Sequence, residues 1–207
     1  MLISKIIPAV KTEGRYNIFV DENFSFSLDE VQLVRLGLKK GDEISEERLN
    51  ELRNESDFGK NYIRAVDLIS RRLRSEREIR DYGWRKKWSR ENTEKVIARL
   101  RERGYLDDEK FAASFVRSRA TLREFSARKM KLELRRKGIA PETIEKVLSA
   151  SDDFDEVRSL QKLIAKKRDK YDDERKFIAY LARQGFAYDD IKTAFADLDS
   201  EIHEKVS

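Results

Sequence analysis

The segment S-A-R-K-M-K-L-E-L-R-R-K-G-I at 126–139, shifted by 47 residues, lies on D-E-R-K-F-I-A-Y-L-A-R-Q-G-F at 173–186. Ser126 falls on Asp173, Met130 on Phe177, Leu134 on Leu181, Gly138 on Gly185 and Ile139 on Phe186. Farther on, Ile144 falls on Ile191 and Leu148 on Phe195. A shift of 51 residues the other way places Ser126 on Ser75, Met130 on Ile79 and Ile139 on Trp88, with Val147 and Leu148 on Val96 and Ile97. Such a period implies one supersecondary block repeated along the chain, each copy burying its apolar face within and against its neighbours.

Each unit reads as helix, helix, sharp turn, helix. Ser75, Ser126 and Asp172 or Asp173 are placed to cap the middle helix, because a short side-chain oxygen satisfies free backbone N–H groups. Gly138 and Gly185 end that helix, since glycine accepts the left-handed conformation. Pro141 sits at the start of the third helix, where its missing N–H costs little. Gly104-Tyr105-Leu106-Asp107-Asp108 reads as a stop, a buried pair and an acidic helix start between the first two units. Unit one departs from the pattern: Lys87 replaces the turn glycine and Gly83 the leucine of the middle helix.

The first 28 residues alternate like strands instead. Tyr16, Ile18 and Val20, then Phe24, Phe26 and Leu28, flank the polar turn Asp21-Glu22-Asn23 and predict a β-hairpin. Asp29 is placed to cap a short helix with apolar positions Val31, Leu33, Val34 and Leu36, stopped by Gly37; a second short helix starts at Ser45. The expected fold is mainly α: three tandem three-helix repeats, helix-turn-helix-like, in an elongated curved array behind a β-hairpin and short-helix extension. The expected divisions are an extension at 1–57, repeats at 58–106, 107–151 and 152–199, and a tail at 200–207.

Charge is unevenly spread. Residues 60–150 carry 26 Lys and Arg against 14 Asp and Glu, a balance of +12, while 1–59 balance at −4 and 151–207 at −3. A basic middle suggests a polyanion or an acidic protein groove as partner. Three clusters carry it: Arg71, Arg72, Arg74 and Arg77 at the first joint of unit one; Arg117, Arg119 and Arg123 at the equivalent joint of unit two; and Arg128 with Lys129, continuing to Arg135, Arg136 and Lys137. Guanidinium forks suit phosphates and carboxylates. A single arginine here reads equally as a helix-end charge complementing the dipole, but the clusters together favour a shared partner surface. Phe111, Phe115, Phe177, Phe186 and Phe195 occupy apolar helical positions and read as core. Trp84 and Trp88 read as core or as an exposed contact patch, with core favoured.

The catalytic inventory is thin. His203 is the sole histidine and cysteine is absent, which excludes a metal site built from those ligands and any disulfide framework. No Gly-rich phosphate loop is present. The carboxylates sit among Lys and Arg at the helical spacing of solvated ion pairs. These features predict no enzymatic activity and no cofactor. MLISKIIPAVKTEGR has no signal-peptide pattern, and no apolar window approaches a membrane span, so a soluble cytoplasmic protein is expected.

Several strings resemble the RecX family. R-R-L-R-S-E-R-E-I at 71–79 is similar to the opening of a RecX domain, and R-L-R-E-R-G-Y-L-D-D-E-K-F-A at 99–112 is the nearest match. F-V-R-S-R-A at 115–120, L-R-R-K-G-I at 134–139 and L-A-R-Q-G-F at 181–186 follow. R-Y-N-I-F-V-D and F-S-F-S-L-D resemble the extension of longer members. The resemblance covers nearly the whole chain. It implies tandem three-helix modules in a curved body that binds the RecA–DNA filament, interferes with strand exchange and ATP hydrolysis, and promotes filament disassembly. Regulation of RecA by a monomer is therefore the leading expectation. A direct single- or double-stranded DNA-binding helical protein is the alternative, and a nucleic-acid enzyme is disfavoured.

Overall fold

The computed structural model describes residues 1–10, 12–122, 125–151 and 154–204. It divides into two compact units, Met1–Leu106 and Asp107–Ser207.

The first unit opens with three antiparallel strands in the order β1 (Ile3–Pro8), β2 (Arg15–Val20) and β3 (Asn23–Asp29). The expected hairpin is β2–β3, and the apolar stretch at the N-terminus extends it into a sheet. Asp21 and Glu22 form the turn with φ of 47° and 66°, the left-handed pair that matches strand twist in a two-residue hairpin. These non-glycine residues are held from outside. The Leu2 amide donates to Asp21 Oδ1 at 2.8 Å and the Glu22 amide to Ser4 Oγ at 2.9 Å. So β1 stabilises the β2–β3 turn as well as pairing with β2.

Helix α1 (Glu30–Leu36) starts at Asp29 with a reciprocal capping box through Gln32 and stops at Gly37, φ 64°. Its inner face packs Leu33 and Leu36 on the sheet core, whereas Val31 and Val34 are exposed. Apolar residues occupy both sides of this short helix, so only two of its four apolar positions face the core.

Helix α2 (Glu46–Ser70) starts at Ser45 as expected but runs 25 residues rather than a few. Leu49 and Leu52 join the sheet core, while Ala65, Val66 and Ile69 join the next one. The division expected at 57/58 thus falls inside a continuous helix. Gly59 does not break it; a Cβ there would meet the Gln32 side chain at 2.6 Å. The missing side chain lets Gln32 donate to the Glu55 carbonyl at 2.7 Å.

The three-helix pattern then appears three times: α2 with α3 (Glu76–Arg85) and α4 (Arg90–Glu102); α5 (Asp108–Leu122), α6 (Ala127–Arg136) and α7 (Pro141–Ser149); α8 (Glu156–Lys167), α9 (Glu174–Arg183) and α10 (Tyr188–Glu204). Each trio has its own apolar cluster. The middle helices start alike: Ser75, Ser126 and Asp173 accept backbone N–H groups of the first turn. They also end alike. Trp88 N–H donates to the Gly83 carbonyl, Ile139 to Leu134 and Phe186 to Leu181, the six-to-one bond of a Schellman stop. The left-handed residue before each donor is Lys87 (φ 58°), Gly138 (83°) or Gly185 (97°).

Trp88, half-buried, fills the place left by Gly83, whose absent Cβ would lie 2.9 Å from the Trp88 ring. At the next boundary Leu106 is buried but Tyr105 is exposed, so the expected pair contributes one core residue. The five core phenylalanines are placed as expected, Phe115 half-buried and the others buried. The expected tail is helical as far as Glu204, and 205–207 lie outside the described residues.

Candidate partner-binding surface

In the first joint, between α2 and α3, most arginines already have protein partners. Arg71 pairs with Asp67 at 2.9 Å. Arg72 lays both guanidinium nitrogens on Glu78, at 2.9 and 3.0 Å, and donates to the Leu73 carbonyl. Arg74 is half-buried and its Nε has no hydrogen-bond partner. Burial pushes its pKa down first, and the positive charges of Arg72, Arg85 and Arg71 add to the effect against Glu78. A guanidinium stays charged regardless, so this joint holds a partly desolvated cation short of acceptors. Arg77 is exposed and, among the described residues, has no carboxylate in ion-pair range.

The second joint is built differently. The Arg119 guanidinium stacks over Phe115 at 4.9 Å and Phe125 at 5.7 Å, and lies 3.7 Å from Glu133. It is a packing residue of its own module. Arg117 is exposed, and Arg123 lies outside the described residues. The two joints therefore share a charge pattern in sequence but not a local geometry.

The third cluster also separates. Lys129 lies 4.7 Å over the Phe125 ring and donates to Gln184 Oε1 at 2.7 Å. Arg128, Arg135 and Arg136 are exposed and, among the described residues, have no carboxylate in range; Lys137 is half-buried at the end of α6.

A recurrence that the sequence reading missed lies on the middle helices. With the 51-residue shift, Arg77 falls on Arg128, Arg85 on Arg136 and Lys86 on Lys137. The exposed position beside them is Arg135 in the second module and Trp84 in the first. Trp84 is 80% exposed, which overturns the core placement favoured for it. The alignment carried the signal, since it sets Trp84 on a solvent-facing arginine and leaves the core place to Trp88. Among the described residues no group of three or more His, Asp and Glu is placed to hold a metal ion, and no helix is long and apolar enough to cross a membrane.

Three domain models match the chain: the Regulatory protein RecX N-terminal domain at residues 1–45, the first RecX three-helix domain at 62–108 and the second at 107–148. The chain is also 34% identical to Regulatory protein RecX of Bacillus subtilis (strain 168), over 98% of this chain and 79% of that protein. The chain belongs to the RecX family. A RecX relative from Listeria monocytogenes serotype 4a is 30% identical over 98% of this chain and 77% of its own. A crystal structure of regulatory protein RecX superposes with a TM-score of 0.74 at 28% identity, covering 93% of this chain and 98% of that one. RecX from Lactobacillus salivarius gives 0.61 at 28% identity, covering 69% and 97%. The matched RecX domains reach residue 148; the trio α8–α10 continues the same caps and stops beyond them.

Proposed function

We propose that this protein is a cytoplasmic, non-enzymatic regulator that binds the RecA–DNA filament and restrains strand exchange and ATP hydrolysis by RecA. Membership of the RecX family over nearly the whole chain carries this reading, because its relatives are named regulatory proteins. The surface chemistry supports it. Exposed Arg77, Arg128, Arg135 and Arg136 offer guanidinium groups to phosphates or carboxylates. Arg71 and Arg72 exchange Asp67 and Glu78 for the partner, with half-buried Arg74 beside them in the first joint and exposed Arg117 in the second. Arg119 and Lys129 shape that surface from beneath rather than reaching outward.

A second reading, direct DNA binding, is favoured by the +12 balance of residues 60–150 and by the three-helix module. The two separate in one experiment. Binding is measured to bare single-stranded DNA and to RecA-coated DNA in the same salt. The proposal expects tighter binding to the coated strand; equal or weaker binding there would favour the DNA-binding reading.

A further inference from the structure

Helix α3 ends in the sequence W-R-K-K-W, and the structure splits its two tryptophans. Trp88 turns inward, meeting Tyr82 edge-on at 5.4 Å and packing on the core of its module. Trp84 stands 80% exposed. Leaving an indole in water forfeits one of the largest burial gains any side chain offers. The repeat shows that the fold does not need it there, since the second module carries Arg135 at that place.

The surroundings select the partner. Arg77, two turns back on the same face at i−7, and Arg85, Lys86 and Lys87 next to Trp84 in the chain are exposed, and among the described residues none has a carboxylate in ion-pair range. Farther from the indole the cations are paired: Arg80 on α3 bonds Glu76 and Glu94, and Arg72 in the joint before α3 bonds Glu78. The positive charge left over therefore lies mainly along and just past the C-terminal half of α3, where Trp84 is exposed and Lys86 lies over the Tyr82 ring at 5.8 Å, with Asp81 the one carboxylate on that part of the helix. Protein-docking hot spots also favour Trp and Arg, so the indole alone does not choose the partner; the excess positive charge beside it does. An aromatic face among uncompensated cations is the arrangement that binds single-stranded nucleic acid, where bases stack and phosphates track the positive groove.

We propose that Trp84 is a stacking platform for a base of single-stranded nucleic acid, with Arg77, Arg85, Lys86 and Lys87 drawing in the adjoining phosphates. The site needs only a bare strand, so it stands or falls separately from the RecA reading. It is tested by titrating the full chain, without RecA, against an oligothymidine of about 15 nucleotides, within the site sizes of single-strand binders. A strand of equal length lacking bases serves as the comparison. The wild type is expected to bind the oligothymidine more tightly than the abasic strand, with quenching of tryptophan fluorescence. Trp84→Ala is expected to lose about tenfold in affinity for oligothymidine, the scale of one stacked base, and nothing for the abasic strand. Trp84→Phe should retain part of the binding. Unchanged melting verifies that each variant folds. Equal wild-type affinity for the two strands, or an equal loss on both in Trp84→Ala, would overturn the platform. So would absence of oligothymidine binding, including the case where Trp84→Ala weakens only an interaction with RecA-coated DNA.

Discussion

The Ser126 hydroxyl donates to the Gln184 carbonyl at 2.8 Å while accepting the Lys129 amide at 3.2 Å. One buried oxygen thus caps α6 and satisfies the last turn of α9, joining the second module to the third. Gly185 makes this approach possible: a Cβ there would lie 2.5 Å from Ser126 Oγ. Lys129 Nζ on Gln184 Oε1 and the Ala127 amide on Glu156 Oε1 complete the joint.

Ser126→Ala is expected to destabilise the protein by about 1–3 kcal/mol, because it removes a helix cap and strands a buried carbonyl. Gly185→Ala should cost at least as much, combining left-handed strain with a collision. Thermal or urea melting checks both. A cost below about 0.5 kcal/mol for either, the level of ordinary surface changes, would mean that the joint is dispensable.

The departures of unit one give a paired prediction. Lys87 holds φ 58°, so Lys87→Gly is expected to stabilise by about 1 kcal/mol, the penalty for a side chain in that conformation. Gly83→Leu restores the residue type of the other modules but drives its side chain into Trp88 and Thr93. It should destabilise by about 1–3 kcal/mol through overpacking. Adding Trp88→Ile to Gly83→Leu should recover most of that loss, since it reproduces the Leu134 and Ile139 pair. Melting of the single and double variants decides; additive losses would mean that the two positions do not exchange volume.

This exchange also shows where the sequence was legible. Ser126, Asp173, Gly138 and Gly185 were readable because caps and stops are local, set by one side chain and one φ. The length of α2 was not, because its start signal at Ser45 says nothing of its end and its apolar positions serve two different cores, Leu49 and Leu52 in one and Ala65 in the next. Trp84 was misplaced because tryptophan is so commonly core that its alignment with Arg135 went unused. The arginine joints were legible as charge. Which of them face outward was not, since Arg119 is held by Phe115 and Phe125, rings that only the fold brings together.

Asp107 gives a pH dependence. It caps α5, and hydrogen bonds from the Lys110 amide, opposed by partial burial and helped by the Glu109 amide, hold its carboxyl below the ordinary value. A depressed folded-state pKa contributes stability above the unfolded pKa, about 3.9, and that contribution fades as pH falls through the folded value. Asp107→Asn is expected to lose stability at pH 7 and to melt with a shallower dependence between about pH 5 and 2 than the wild type. Parallel profiles for the two proteins would remove Asp107 from the acid response.

If, as proposed, the arginines of the first joint, exposed Arg71 and Arg72 with half-buried Arg74, engage the RecA filament, inhibition of RecA strand exchange depends on them. The concentration giving half-inhibition is compared for the wild type, for Arg71→Ala/Arg72→Ala/Arg74→Ala, and for a control with Lys162, Lys166 and Lys167 changed to Ala. Losing desolvated charge pairs at an interface costs about 2–5 kcal/mol, so the arginine variant should need at least about tenfold more protein. The control should stay near the wild-type value, with melting temperatures matched for all three. If the arginine variant melts normally and half-inhibits at the wild-type concentration, the joint is only a solvated helix end and the claim fails.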